Sequence, residues 1–325
     1  MDRETGILMI VEYIQHLSLP VPRWVKAMGF GREVVSMQAR HERCREAWAP
    51  HLEAARALIT EAAESCVKTD HAVILGSGLL LDIPLGELAA RFERIDLIDL
   101  VHTRHVRRQA KAFGNVNIIE ADISGAARSV YSLSVTAEPD GDRPAPPIGM
   151  KATSHAYIAA TVEDTLANPS ALIDLPVPAP DPALLDGANL VVSANLVSQL
   201  PLLLMGWIEA HCPWAEDDAK DAFARSVVDH HLALLQNFAT DNPESRVALI
   251  AEVLRLVHDA GTPVRKIDAL FGAQILNEGH EWWWDIAPRP EIDNDVDVKL
   301  RILGIPDLAR APQSRICRNT TLAAP

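Results

Sequence analysis

The 325-residue sequence predicts an α/β fold with a mostly parallel sheet, a C-terminal antiparallel hairpin and an N-terminal helical extension. The first observation is that short apolar runs alternate with helical patterns beyond residue 70, as they do in βαβ units. The second is a Gly-Ser-Gly turn directly after the first apolar run. The third is a pair of apolar runs near the C-terminus, joined by a short turn-rich link.

The N-terminal part, residues 1–68, is predicted to be helical. Apolar and semi-apolar positions recur there at steps of three and four residues, which is the helical period. Pro50 suits the first turn of a helix, because proline has no N–H to donate to the preceding turn. We therefore expect two helices that meet near Ala49. We assign residues 1–68 to a helical cap and residues 69–325 to the sheet domain.

The sheet domain is predicted from the order of its segments. Strands are expected at 72–75, 95–100, 116–120, 189–193 and 246–252, with a C-terminal antiparallel pair at 281–286 and 296–303. Helices are expected at 84–92, 103–113 and 216–239. The proline-rich residues 131–185 are predicted to be an insertion, with a helix near 160–168.

The composition excludes several classes of protein. With 48% hydrophobic and 23% charged residues, the chain has the balance of an ordinary globular protein. A net charge of −14 disfavours nucleic acid as a substrate, because phosphate binding needs clustered lysine and arginine. One basic group lies on the predicted helix 103–113, and we interpret it as a solvated helix face (Arg104, Arg107, Arg108 and Lys111).

Cysteine usage and hydropathy favour a cytoplasmic location and no bound metal. The four cysteines are scattered and form no CxxC pair (Cys44, Cys66, Cys212 and Cys317). The first residues, Met-Asp-Arg-Glu, lack the basic start of a secretory signal. The longest apolar region, 189–210, contains too many polar residues to span a membrane. We expect a small-molecule substrate and no membrane contact, and we leave a homodimer open.

Three features at the ends of predicted strands are suited to an adenosine-containing ligand. The turn Gly76-Ser77-Gly78 follows the first strand and lets the backbone approach a ligand closely. Asp99 ends the second strand about 20 residues later, the separation at which an acid meets the hydroxyl pair of a ribose. Asp122 follows the third strand, where a carboxylate can accept a hydrogen bond from the adenine amine or cap the next helix.

In this pattern the sequence resembles the class I S-adenosylmethionine-dependent methyltransferases, which have a Rossmann-like fold. The resemblance covers roughly residues 70–125 and 187–305. It implies that the turn containing Gly76 and Gly78 faces the methionine part of the cofactor. It further implies that Asp99 binds the ribose and that Asp122 meets the adenine. Members of this class also end with an antiparallel pair of strands after the fifth strand.

The sequence departs from the methyltransferase pattern at two positions of the glycine motif. Leu80 stands where a third glycine is usual, and Ile74 stands where an acid is frequent. Asp82 either replaces the missing polar contact or is a turn residue. On the second strand, Asp96 is the alternative ribose acid, but its early position makes it less suited than Asp99.

Residues 193–201 follow the fourth strand, where methyltransferases of this class place groups beside the transferred methyl. They resemble that motif in position only. Asn195 is expected to orient the substrate or the cofactor amine, or instead to cap the next helix. Methyl transfer sometimes needs a base, and histidine is the usual one near neutral pH. His231 ranks first, because it falls on the apolar stripe between Val227 and Leu234.

The leading hypothesis is a methyltransferase that uses S-adenosylmethionine and acts on a small molecule. Three alternatives stay open. A nicotinamide-dependent dehydrogenase shares the glycine turn and the ribose acid, although Leu81 stands where the third small residue of its fingerprint is expected. Residues 76–80 also resemble the turn of nicotianamine-synthase-like enzymes, which transfer an aminocarboxypropyl group from the same cofactor. The last alternative is a binding or scaffold protein that keeps the fold without catalysis.

Overall fold

The computed structural model describes residues 19–136, 175, 180–213 and 215–313. Its centre is an eight-stranded sheet with the strand order β3-β2-β1-β4-β5-β8-β7, and β6 pairs with β5 beside this path. The strands are β1 (His71–Leu75), β2 (Arg94–Asp99), β3 (Val116–Glu120), β4 (Leu190–Ala194), β5 (Arg246–Asp259), β6 (Thr262–Asp268), β7 (His280–Ala287) and β8 (Val296–Ile305).

Eight α-helices lie in the described part of the chain. They are α1 (Arg23–Ala27), α2 (Phe30–Arg43), α3 (Arg45–Glu64), α4 (Leu85–Arg91), α5 (Arg104–Lys111), α6 (Ala127–Thr136), α7 (Leu202–His211) and α8 (Asp217–Asp241). None of the helices in these ranges is long and apolar enough to cross a membrane.

The sheet confirms the predicted α/β, Rossmann-like architecture. Strands β1 to β5 pair in parallel, and β7 pairs with β8 antiparallel. All five residues of β1 are buried, because helices cover both faces of a parallel sheet. This is why the strand is a continuous apolar run and does not alternate.

Strand β6 was absent from the sequence prediction, and β5 extends seven residues beyond its predicted end. β6 forms an antiparallel hairpin with the second half of β5. Residues 262–266 of β6 are all exposed, so the strand has no apolar face that a sequence pattern would reveal.

Two hydrophobic clusters sandwich the sheet. One cluster joins α3, α4 and α5 to one face of the strands, and the second joins α8 to the other face. Alternate residues of a strand point to opposite faces, so Ile74 of β1 belongs to the first cluster and Val73 to the second. Helix α3 shares one hydrophobic cluster with the strands. The division into a helical cap at 1–68 and a sheet domain at 69–325 stays a prediction.

The position of the N-terminal helix junction was wrong in the sequence prediction. The helices α2 and α3 meet at Cys44, and Pro50 lies inside α3 instead of near its start. Proline at this position cannot donate to the carbonyl of Glu46, which weakens the helix locally. Packing outweighs that loss, because Trp48 is 1% exposed and its Nε1–H donates to the carbonyl of Ile286 at 3.0 Å.

The described ends of the predicted insertion, 131–185, contain helical residues. Helix α6 continues through residue 136, six residues into the predicted range 131–185. Near its end, residues 182–185 form a short 3-10 helix. The helix predicted near 160–168 lies outside the described residues.

The packing of α3 on the C-terminal hairpin can be tested at Gly304. A Cβ atom there would lie 2.5 Å from both Leu58 Cδ1 and Trp282 Cζ3, so the site has no room for a methyl group. We expect Gly304→Ala to lower the free energy of unfolding by about 1–3 kcal/mol, the usual cost of overpacking. Urea denaturation monitored by circular dichroism measures it.

The matched control is Gly86→Ala in α4, where a Cβ atom meets nothing within 4 Å. Alanine favours a helix more than glycine does, so this variant should be neutral or more stable. Equal stability of Gly304→Ala and the wild type would contradict the close contact between α3 and the hairpin.

Candidate functional site

The glycine turn lies at the carboxyl end of β1, where its backbone takes left-handed conformations. Gly76 has φ of 70° and Gly78 has φ of 49°. A Cβ atom on Gly76 would lie 3.0 Å from Leu196, which follows β4, so the two loops approach closely. Leu80 also has a positive φ, of 61°. The turn therefore has the left-handed backbone that a third glycine would favour, although the residue is leucine.

Asp99 is bound to the glycine turn. Its Oδ2 accepts the N–H of Gly78 at 2.9 Å, and its Oδ1 is 3.4 Å from the N–H of Val101. Burial raises the pKa of this carboxyl, and the backbone N–H groups partly oppose that shift. In the described part of the chain, Asp99 has no ion pair. The structure thus brings together the predicted glycine turn and the predicted ribose acid.

Ser77 and His102 form a second link between the two loops. Ser77 Oγ lies 3.0 Å from His102 Nε2, and both side chains are buried. Burial lowers the pKa of His102 to about 4, so the ring is neutral near pH 7. His102 was missed in the sequence analysis. The sequence feature that could have identified His102 is its position three residues after Asp99, on the same loop.

Asp122 caps the helix that follows it. Its Oδ2 accepts the N–H of Ala127, the first residue of α6, at 2.8 Å. Its Oδ1 accepts from the N–H and the Oγ of Ser124, at 3.0 and 2.6 Å. The capping alternative is therefore observed. Each carboxylate oxygen can accept more than one hydrogen bond, so a contact with adenine stays a prediction.

Asp96 has a different environment from Asp99. Its carboxylate is bonded by Arg94, by Asn117 and by His71, and these contacts hold the pKa of Asp96 below its usual range despite burial. Three partners occupy this carboxylate within the sheet, which leaves Asp99 as the acid at the strand end.

Asn195 lies directly after β4 and does not cap a helix. Helix α7 begins seven residues later at Leu202, with Pro201 at its N-cap position, so the capping alternative was wrong. Asn195 has φ of 51°, and its Nδ2 donates to Asp82 Oδ2 at 2.7 Å. Its Oδ1 is buried and has no hydrogen-bond partner among the residues that the structure describes.

The amide of Asn195 also contacts His51 of α3, at 3.2 Å from Nδ2 to Nε2. His51 is 1% exposed, stacks on Trp284 at 3.9 Å between ring centroids, and accepts the N–H of Trp282 at its Nδ1 at 3.0 Å. Burial lowers the pKa of His51 to about 3, so the ring is neutral. A neutral ring that accepts at Nδ1 carries its own proton on Nε2.

The proton on His51 Nε2 couples the Asn195 amide to Asp82. In the observed orientation, the Nδ2–H of Asn195 faces the Nε2–H of His51, and two donors cannot bond to each other. The same Nδ2 donates to Asp82, which favours this orientation when Asp82 is ionised. Turned by 180°, the amide would place Oδ1 where it accepts from His51 Nε2–H and from a protonated Asp82. Burial raises the pKa of Asp82. The orientation of the amide therefore depends on whether Asp82 carries a proton.

His231, the predicted base, lies on the other face of the sheet. Its side chain is fully buried, and its Nε2 lies 2.9 Å from Ser193 Oγ on β4. Burial lowers its pKa to about 4. Contact with a substrate would require the surrounding core to open. A catalytic role for His231 stays a prediction, and the observed contact is structural.

No group of three histidine, cysteine or acidic side chains within the described ranges is arranged to hold a metal ion. Cys44, Cys66 and Cys212 are free and buried.

No protein-family model matches the sequence, and no curated protein matches it. Among solved structures, precorrin-8w decarboxylase of Methanobacterium thermoautotrophicum is 14% identical, with a TM-score of 0.26 over 77% of this chain and 89% of the other. The N-methyltransferase NodS of Bradyrhizobium japonicum, solved with S-adenosylhomocysteine, is 12% identical, with a TM-score of 0.30 over 78% of this chain and 87% of NodS. A 1,6-didemethyltoxoflavin-N1-methyltransferase of Burkholderia thailandensis is 12% identical, with a TM-score of 0.34 over 88% of this chain and 91% of the other. Similarity at this level does not identify a function.

The buried histidines predict a dependence of stability on pH. Burial lowers the pKa values of His51, His102 and His231 to between about 3 and about 4, below the ordinary value of 6.5. Between pH 6.5 and 4 the unfolded chain therefore binds more protons than the folded chain. We expect the free energy of unfolding to fall on acidification through this window, by up to about 1.4 kcal/mol per pH unit for each histidine.

Urea denaturation at a series of pH values from 7.5 to 4.5 measures this slope. His231→Leu should show a shallower slope than the wild type, whatever its stability at neutral pH. If His231→Leu has the same slope as the wild type, the pKa of His231 is the same in the folded and unfolded states, which would contradict the prediction.

Proposed function

We propose that the protein binds S-adenosylmethionine and transfers its methyl group to a small molecule. The observation that carries the proposal is the hydrogen bond from the Gly78 N–H to the Asp99 carboxylate. It joins a left-handed glycine turn to an acid on the neighbouring parallel strand, at the carboxyl edge where open α/β sheets bind their ligands.

The residues of this edge fit the parts of the cofactor. Asp99 has no ion pair in the described ranges and retains acceptor capacity for the two ribose hydroxyls. The backbone of Gly76, Ser77 and Gly78 approaches the ligand closely in this proposal, because the two glycines carry no side chain and take left-handed conformations. Asp122, on the next loop, is proposed to meet the adenine amine while it caps α6.

The bound cofactor would supply a methyl group activated by its sulfonium. The protein has to hold the acceptor in line with that group and exclude water. Asn195 lies beside the glycine turn and is the candidate for orienting the cofactor or the acceptor. In our proposal His231 supports β4 through its contact with Ser193.

Binding of the cofactor tests the proposal most directly. We expect wild-type protein to bind S-adenosylhomocysteine in isothermal titration calorimetry, and Asp99→Asn to bind it about 10- to 100-fold more weakly. That range corresponds to the loss of charged hydrogen bonds worth about 1.5–3 kcal/mol.

Asp96→Asn is the matched control, because it makes the same change on the same strand. Its partners are Arg94, Asn117 and His71, so it should lower stability while leaving cofactor affinity within about twofold of the wild type. Binding of NAD by a wild-type protein that does not bind S-adenosylhomocysteine would replace the proposal with the dehydrogenase alternative. Binding of neither ligand would favour a scaffold protein.

A further inference from the structure

Asp82 and Asn195 meet at the carboxyl ends of β1 and β4, the two neighbouring strands between which the strand order reverses. β1 lies between β2 and β4, so the loops after β1 and β4 leave the sheet in opposite directions. The crevice between such loops is the usual ligand site of an open α/β sheet. Asp82 lies on the loop after β1 and Asn195 follows β4, and their side chains bridge the two loops at 2.7 Å.

Burial raises the pKa of the Asp82 carboxyl, although the hydrogen bond from Asn195 and the charge of Arg56 partly oppose this shift. No ion pair to Asp82 exists in the part of the chain that the structure describes. The nearby Arg56 of α3 instead donates its guanidinium N–H groups to the carbonyl of Leu81, at 2.9 and 2.5 Å. Burying a carboxylate without an ion-pair partner is unfavourable, so this position favours a ligand that brings a positive group.

Asn195 supplies a second acceptor at the same place. Its Oδ1 is buried without a hydrogen-bond partner in the described residues, while its Nδ2 faces Asp82. A buried polar atom without a partner costs free energy, which a donor from the ligand would recover. A primary ammonium group carries three N–H donors and a positive charge, and so satisfies both side chains.

The strand itself offers no acid for this purpose. Ile74, which stands where methyltransferases of the resembling class often have an acid, is fully buried in the core. Asp82 is therefore the carboxylate on the loop after β1, and it contacts Asn195 on the β4 side, whereas Asp99 lies on the β2 side.

We propose that Asp82 and Asn195 bind the primary ammonium group of the ligand. The proposal rests on the proposed function, in which the ligand is S-adenosylmethionine with an ammonium on its amino acid part. Helix α3 and the C-terminal hairpin border this position, because His51 lies 3.2 Å from Asn195 Nδ2, accepts the N–H of Trp282 and stacks on Trp284.

The ammonium site is tested with two ligands that differ in the amino acid part. S-Adenosylhomocysteine has the ammonium group, whereas 5′-methylthioadenosine keeps the adenosine and a thioether but lacks the amino acid chain. We expect Asp82→Asn to weaken S-adenosylhomocysteine by about 10- to 100-fold in calorimetry, as for the loss of one charged contact. Its affinity for 5′-methylthioadenosine should stay within about twofold of the wild type.

Glu87→Gln is the control, because it removes a negative charge from an exposed position of α4 close to the same loop. It should leave both affinities unchanged. If Asp82→Asn weakens both ligands equally, or neither, the ammonium site is wrong although the cofactor binds. If the wild type binds neither ligand, the proposed function fails and the ammonium site fails with it.

Discussion

The site depends on the burial of β1 between two parallel neighbours. Each residue of β1 is buried, and the register of β1 with β2 and β4 is fixed by packing on both faces of the sheet. This register brings the glycine turn beside Asp99 on one side and beside Asn195 on the other. A slip of one residue would move the apolar side chains of β1 from one hydrophobic cluster to the other and would separate these three elements.

The N-terminal helix α3 is part of this arrangement. It packs on the same face of the sheet as α4 and α5, and its polar side chains reach the loops of the site. Arg56 holds the carbonyl of Leu81, and His51 contacts Asn195. The aromatic contacts among Trp48, Trp284 and His51 fix the helix on the hairpin. A segment that the sequence presents as an extension therefore supports the loops at the carboxyl edge.

Several polar groups near the sheet are buried and neutral. Two Ser–His pairs, Ser77 with His102 and Ser193 with His231, lie on different parts of the sheet and have similar geometry. In both pairs the histidine Nδ1 is buried without a hydrogen-bond partner among the described residues. Burial keeps these rings uncharged near neutral pH, so they act as hydrogen-bonding side chains in the core.

The sequence by itself determined the order of strands and helices, the glycine turn and Asp99, because a parallel sheet covered on both faces leaves continuous apolar runs that end at its carboxyl edge. It did not reveal β6, whose exposed residues carry no pattern, or the junction at Cys44, where packing outweighs the helix-breaking tendency of Pro50. The tertiary structure alone decided that Asp122 caps α6, that His231 is enclosed, and that His51, Asp82 and Asn195 meet. The last three residues are up to 144 positions apart. Contacts between such distant residues follow from how helices and loops pack, which local sequence does not specify.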